Sequence, residues 1–307
     1  MMLVLDALET ERALPYPELI AEIKRCAVEK VNGTLVAPKR LSVPLAAHDW
    51  LLCMPAVGPD IFVTKIITVS PANPAIGLDA IQGVVVVGDV GTGARRMVMD
   101  GPTVTGRRTA ALSLAGIELL LARKPASAAL IGTGAQARFH ALALIGELDP
   151  EVLFVVGTSQ ETALAFASGI AGQAGRTAIV PLTTSSWSAE AVRADVIIAL
   201  TSATTPVIPE GVPSHTLVIG AGAFRPEMME LPAPLLRDRC VVVDNLVGAR
   251  EAGDLIQADL DWDQIREIGQ IVASQSAAGP VPVFKTVGSA CWDLAAARVA
   301  ARGRLVA

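Results

Sequence analysis

The chain has 307 residues, 52% hydrophobic but only 4% aromatic, with a net charge of −5; so much aliphatic mass excludes intrinsic disorder, and the acidic balance excludes a basic field for nucleic acid or anionic lipid. Cys26, Cys53, Cys240 and Cys291 stand far apart with no C-x-x-C pair, which argues against a disulfide scaffold or zinc site and for a reducing cytoplasm. No stretch reaches the ~18 apolar residues of a membrane span, and the opening Met1-Met2-Leu3-Val4-Leu5-Asp6 lacks the positive n-region of a secretory signal.

At ~150 residues per domain, the length predicts about two domains. Tyr16 to Val31 carries Leu19, Ile20, Ile23, Ala27 and Val28 at helical spacing. Short β-like runs follow at Leu41–Val43, Trp50–Met54, Ile61–Thr68, Val84–Val87 and Met97–Met99, separated by Gly, Pro and Asn clusters. Runs this close together predict an antiparallel or mixed sheet. An Ala/Leu-rich helix is predicted over about Arg107 to Arg123, with Thr105 as its N-cap.

From Ala126 the pattern changes to strand–helix alternation. Strands are predicted at Ala128–Ile131, Val152–Val156, Ala178–Val180, Val196–Leu200, Thr216–Ile219 and Cys240–Val243, with helices at Ala135–Ile145 and Glu161 to about Ala174. Asp259 to Ser274 reads as a helix or two, Ala277–Pro282 as a linker-like crossing, and Ala290 to Arg302 as a final helix. The fold class is therefore α/β: a Rossmann-type doubly wound parallel sheet, residues 123–279, inserted in a second α+β domain made of residues 1–122 plus 280–307.

Between the strand at Ala128–Ile131 and its helix lies Gly132-Thr133-Gly134-Ala135-Gln136-Ala137, a G-x-G-x-x-A turn. The first glycine allows a tight turn, the second lets the backbone approach a pyrophosphate, and Ala137 lets helix and strand pack closely. The helix N-terminus then offers free N–H groups to the phosphates. A carboxylate at the end of the next strand would select NAD, and an arginine NADP. Here that strand ends in Gly157-Thr158-Ser159-Gln160, with neither. Without a carboxylate to repel a 2′-phosphate, the reading favours NADP(H) over NAD(H).

Three cations draw attention. Lys65 shares a strand face with Val63 and Ile67; it is either an edge-strand lysine that blocks aggregation or an inward, desolvated lysine with a lowered pKa and a proton to give. Arg107 and Arg108 open the long helix. Either they reach solvent, Asp100 or Glu118, or Arg108 and the helix N-terminus together clamp a carboxylate. Arg40 reads as a surface-loop arginine. His48, His140 and His215 show no metal-ligand spacing.

Met54-Pro55-Ala56, Lys65-Ile-Ile-Thr68, Arg108-Thr-Ala-Ala111, Gly132-Thr-Gly-Ala-Gln-Ala137, Arg225-Pro226, Glu230-Leu231, Val243-Asp244 and Val283-Phe-Lys-Thr-Val-Gly288 occur in this order. Together they resemble the ornithine cyclodeaminase/mu-crystallin family over nearly the whole chain. The resemblance implies a homodimer, with one domain for dimerisation and substrate and a Rossmann domain for NAD(H) or NADP(H). It implies that Arg40, Lys65 and Arg108 surround the carboxylate of an amino or imino acid, with Lys65 and Arg108 catalytic. It places Thr109 and the loop Thr201-Ser202-Ala203 near the cofactor, beside the glycine turn; Thr158 and Ser159, which could donate to a phosphate, and Gly220 complete the expected cofactor set.

Two departures choose among activities. Cyclodeaminases of this family carry an acidic residue two before the Met-Pro pair, where this chain has Leu52, and an aspartate in the loop that here reads Gly220-Ala-Gly-Ala-Phe224-Arg225-Pro226, with Phe224 at that place. The chain therefore resembles the mu-crystallin branch, which includes ketimine reductases. The expected activity is NAD(P)H-dependent reduction of a cyclic imino acid such as pyrroline- or piperideine-2-carboxylate. The alternatives are ornithine cyclodeamination, an alanine dehydrogenase-like reaction, and cofactor-dependent binding without turnover.

Overall fold

Period-2 alternation between residues 41 and 100 gives one sheet, and the continuous apolar runs after Ala126 give another. The structure is a computed structural model that describes residues 2–46, 49–274 and 280–302; His48 and part of the expected 277–282 crossing lie outside them. The chain divides into two units: residues up to Leu112 together with those from Ser289, and Ser113–Gly288. The first division falls inside the long helix, where the sequence reading set it at 122/123; the second falls at 288/289, where that reading had 279/280.

In the first unit, β1 (Leu3–Leu5) and the short α1 (Ala7–Arg12) precede α2 (Tyr16–Val31). Then come β2 (Leu41–Ala46), β3 (Asp49–Val57), β4 (Ile61–Val69), β5 (Ile81–Asp89), β6 (Arg95–Asp100) and α3 (Gly101–Leu120). The sheet has six strands in the order β1-β6-β5-β4-β3-β2. β1 runs parallel to β6, and the other pairs are antiparallel. Its alternation is sharp: Leu52, Met54 and Ala56 on β3, Val63, Lys65 and Ile67 on β4, and Val85 and Val87 on β5 are all buried.

Helix α3 corrects the expected N-terminus. β6 runs directly into it at Gly101, and Asp100 Oδ1 accepts from Thr103 N at 2.8 Å. Asp100 therefore caps the helix, and Thr105 lies inside it. Arg107 and Arg108 sit in the second turn, past the free N–H groups, so the helix N-terminus does not assist them. Arg107 donates to Leu14 O and Glu11 Oε1 and lies 4.0 Å over the Tyr16 ring.

The second unit contains β7 (Ser127–Ile131), α4 (Ala135–Ala143), β8 (Val152–Gly157), α5 (Gln160–Ile170), β9 (Ala178–Thr183), α6 (Ala189–Val192), β10 (Val196–Ala199), β11 (Leu217–Gly220), α7 (Ala233–Asp238), β12 (Val241–Val243), α8 (Leu246–Ala249), α9 (Gly253–Ala258), β13 (Arg266–Glu267), α10 (Ile268–Ser274) and β14 (Val283–Lys285). Eight strands form one parallel sheet in the order β13-β12-β14-β11-β10-β7-β8-β9. Strands β7, β10, β11 and β12 read as unbroken aliphatic runs because both faces are covered. The fold is α/β with a Rossmann-type sheet, its order reversing at β7 between β8 and β10.

The helix or two expected over Asp259–Ser274 amounts to a 3-10 turn at Trp262–Gln264 and the short α10, with β13 between them; Asp259 adopts a left-handed φ of 51° that ends α9. β14, which the sequence reading left unassigned, is an interior strand between β11 and β12. Three residues carry too little periodicity to show in the sequence.

The last helix, α11 (Ala290–Ala301), lies in the first unit and packs on α2, β3 and β4. Its Arg298 donates to Glu22 at 3.2 Å, Glu29 at 2.7 Å and Asp60 at 2.7 Å. Removing that cation leaves Glu22, 1% exposed, without its buried partner. Arg298→Met is expected to destabilise the protein by about 3 kcal/mol, read as a lowered denaturation midpoint in chemical unfolding.

Candidate functional site

In the second unit the chemistry gathers at the carboxyl ends of the parallel strands. Gly132 leaves β7 with φ +116°, and a Cβ there would lie 2.8 Å from Leu200 O, so the turn admits only glycine. At Gly134 a Cβ would meet nothing within 4 Å. That open space lies at the start of α4, whose N-cap residue, Gly134, makes no side-chain hydrogen bond. The first-turn N–H groups are thus free for a phosphate. Gln136 Oε1 is buried without a hydrogen-bond partner. Tight turn, free N–H groups and open approach fit a dinucleotide pyrophosphate; Thr133 and Ala135 belong to the same turn.

Thr158 and Ser159 are exposed at the end of β8. Ser159 caps α5, its hydroxyl accepting from Thr162 N at 3.2 Å. Across β7, Thr201, Ser202 and Ala203 follow β10, and Gly220 ends β11. The glycine turn, the Thr158–Ser159 loop, the Thr201 loop and Gly220 all lie on one edge of the sheet. Thr109 is on α3 in the first unit, and its hydroxyl donates to Thr105 O at 2.6 Å.

The first unit holds the cations. Lys65 points inward between Met54 on β3 and Val85 on β5, so the edge-strand reading gives way to the buried one. Its Nζ lies 3.0 Å from both carboxylate oxygens of Asp293 on α11. Arg108 Nε lies 3.4 Å from Asp293 Oδ1 and makes no hydrogen bond, like the buried hydroxyl of Thr105 one turn earlier. Exposures of 1% for Lys65, 6% for Arg108 and 0% for Asp293 put the group out of solvent.

Desolvation drives the Lys65 pKa down from 10.5 to about 8; Asp293 supports the ammonium, while Arg108 and Arg40 oppose it. Arg40 is therefore within electrostatic reach. Lys65 and Arg108 share the one carboxylate of Asp293, and Arg108 Nε makes no hydrogen bond. The arrangement can bind one further small anion and can give up a proton near neutral pH.

Sequence reasoning missed Asp293. Its signal is a lone carboxylate in the first turn of the apolar run Ala290-Cys-Trp-Asp-Leu-Ala-Ala-Ala297, since a helix buried on all sides keeps a charge only for a partner. Leu52, opposite Ile67, lies on the same inward sheet face as Lys65, which makes that face apolar. Phe224 packs on the core of the second unit. His140 is buried, with Ser113 Oγ 3.0 Å from Nε2 and Gln136 O 2.8 Å from Nδ1. His215 is exposed. Among the described residues no helix is long and apolar enough to cross a membrane.

Comparison with known proteins agrees with this architecture. The model of the ornithine cyclodeaminase/mu-crystallin family matches residues 1–303. A Δ1-pyrroline-2-carboxylate/Δ1-piperideine-2-carboxylate reductase from Azospirillum brasilense is 42% identical over 299 residues, 97% of this chain and 94% of its own. The Δ1-pyrroline-2-carboxylate reductase of Thermococcus litoralis, solved with NADH and L-proline, matches at a TM-score of 0.87 and 29% identity, covering 98% of this chain and 97% of its own. An archaeal alanine dehydrogenase dimer with bound NAD matches at a TM-score of 0.84 and 25% identity, covering 99% and 97%. The chain belongs to the ornithine cyclodeaminase/mu-crystallin family.

Proposed function

We propose that the protein is an NAD(P)H-dependent reductase of cyclic imino acids of the pyrroline- and piperideine-2-carboxylate type. The observation that carries this reading is the buried cluster of Lys65, Arg108 and Asp293, set in an apolar sheet face and reached by the field of Arg40. The Azospirillum and Thermococcus reductases support it by their likeness. The first unit supplies substrate binding and the second holds the cofactor.

Arg40 and Arg108 hold the substrate carboxylate, Arg108 through a guanidinium whose Nε makes no hydrogen bond. The glycine turn Gly132–Ala137 holds the cofactor pyrophosphate, and Thr158 with Ser159 borders the adenosine ribose. When bound, the cofactor supplies hydride to the imine carbon. Lys65, an ammonium below about pH 8, gives its proton to the ring nitrogen. Met54, Val85 and Leu52 give the reacting end an apolar wall with no polar group for a second amine. The exposed Thr158 and Ser159 leave the end of β8 without a carboxylate, which favours NADPH over NADH.

Oxidation of NADPH and NADH, followed by absorbance, is to be compared with Δ1-pyrroline-2-carboxylate, Δ1-piperideine-2-carboxylate and ornithine. The expected result is reduction of both imines, faster with NADPH, and no release of ammonia from ornithine. Ammonia and proline from ornithine without net cofactor oxidation would establish cyclodeamination instead.

The pH dependence has a definite sign. Lys65 is charged below about pH 8 and loses its proton above it, so kcat should fall on the alkaline side of that value. Asp293→Asn removes the charge that supports the ammonium and should move this limb to lower pH. Lys65→Met should lower kcat about 100-fold or more. An alkaline limb unmoved in the Asp293 variant would disconnect Lys65 from it.

A second copy of this chain is the proposed partner. Leu41, Cys53, Ile66 and Val84 pair in one row across β2, β3, β4 and β5, on the face opposite Lys65. Leu41, Ile66 and Val84 are exposed there, a contiguous apolar surface that calls for a cover. The archaeal alanine dehydrogenase is itself a dimer. Light scattering after size exclusion should give a dimer mass for the native chain and a monomer for the Ile66→Asp, Val84→Asp double variant. A double variant that stays dimeric would place the interface elsewhere.

A further inference from the structure

The motif residues Glu230, Lys285 and Asp244 take no part in the chemistry above, yet they meet at the same sheet edge as the cofactor loops. Glu230 is 0% exposed. Its Oε1 accepts from Thr201 N at 2.5 Å and Thr201 Oγ1 at 3.0 Å. Its Oε2 accepts from Gly222 N at 2.8 Å and Ala223 N at 2.9 Å. One carboxylate therefore fastens the loop after β10 to the loop after β11. Those loops touch: a Cβ on Gly222 would lie 2.1 Å from Thr201 O.

Glu230 is held in turn from behind. Asp254 Oδ1 accepts from Glu230 N at 2.6 Å and Leu231 N at 2.9 Å. Lys285, the last residue of β14 and in register with Gly220 of β11, places Nζ 2.7 Å from Asp254 Oδ2 and 3.9 Å from Glu230 Oε2. Asp244 fixes the neighbouring loop after β14 by accepting from Val287 N at 2.9 Å and Gly288 N at 3.0 Å.

Such loops, at the carboxyl ends of strands beside the switch point, receive the ligand in a doubly wound sheet. The glycine turn after β7 takes the pyrophosphate, and the β8 side takes the adenosine half. The β10–β11 side is left for the other half of the dinucleotide. We propose that Glu230, backed by Lys285 and Asp254, is the positioning residue for the nicotinamide end of the cofactor: it locks Thr201–Ala203 and Gly220–Ala223 in the one arrangement that receives the ring. This rests on the reading of the chain as a nicotinamide-dependent reductase.

Glu230→Gln tests it in the full chain. The amide presents a donor to one of the two loops and breaks that side of the clamp. Calorimetric titration with ADP-ribose, or its 2′-phosphate where NADPH is the cofactor, reads the adenosine half and pyrophosphate; titration with the reduced cofactor reads both halves. The variant should bind ADP-ribose within about twofold of the native protein and the reduced cofactor about tenfold or more weakly, with kcat lowered and the melting temperature near native. Equal weakening of both ligands, or unchanged binding of the reduced cofactor, overturns the proposal. Should Glu230→Gln not fold, Thr201→Val removes one donor to the same carboxylate: weakening confined to the reduced cofactor supports the proposal, and anything else overturns it. Native protein that binds neither ligand overturns the cofactor reading itself, and this proposal with it.

Discussion

A buried lysine needs a carboxylate buried beside it, and this chain holds two such pairs. Lys65 and Lys285 are 1% and 0% exposed, and each lies within 3.0 Å of an aspartate that is itself 0% exposed. Desolvating a charge costs several kcal/mol before any attraction is counted. Neither lysine is therefore a stabilising ornament, and breaking either pair leaves a lone buried charge at a cost of about 3–5 kcal/mol. The rest of each unit is arranged to hold these pairs. α11 brings Asp293 onto β4, and β14 inserts out of sequence order between β11 and β12 to bring Lys285 to the carboxyl edge.

Backbone geometry supports the same economy of charge. The parallel sheet leaves strand ends whose N–H groups need acceptors. At β10, β11 and β14 those acceptors are Glu230 and Asp244, two buried carboxylates, rather than water. At β7 the corresponding N–H groups, at the start of α4, are left free. The edge thus divides into a closed part that holds itself and an open part, the one proposed for the cofactor phosphates.

Much of this was legible in the sequence, for definable reasons. The glycine turn is read from local backbone demands, and its neighbours β7 and α4 are long enough to show period and cap. Alternation around Lys65 gives the two faces of β4 but leaves open whether Lys65 faces inward or stands on an edge. The Lys65–Asp293 pairing and the Glu230–Lys285 network were not legible, because each joins residues from elements far apart in the chain, and spacing carries no information about such meetings. β14 was missed because it spans three residues, one of them a lysine that looks solvent-seeking until its carboxylates are in place. The helix start at Gly101 was missed because the cap is the last residue of a strand, and the hydroxyl at Thr105 offered a more familiar signal.

The two buried lysines also show how a charge count separates a binding site from a positioning site. Around Lys65 two buried cations, Lys65 and Arg108, share the carboxylate of Asp293, the field of Arg40 reaches Lys65, and Arg108 Nε is left without a hydrogen bond. Positive charge is in excess, the lysine is driven toward neutrality, and an incoming carboxylate relieves both strains. Around Lys285 one cation faces two carboxylates, and the negative excess is absorbed by backbone N–H groups and the Thr201 hydroxyl. Both oxygens of Glu230 and Oδ1 of Asp254 are taken by these donors, and Asp254 Oδ2 faces Lys285 Nζ at 2.7 Å. In the proposed reading the same residue type in the same degree of burial is reactive in one unit and structural in the other, and the sign of the uncompensated charge distinguishes them.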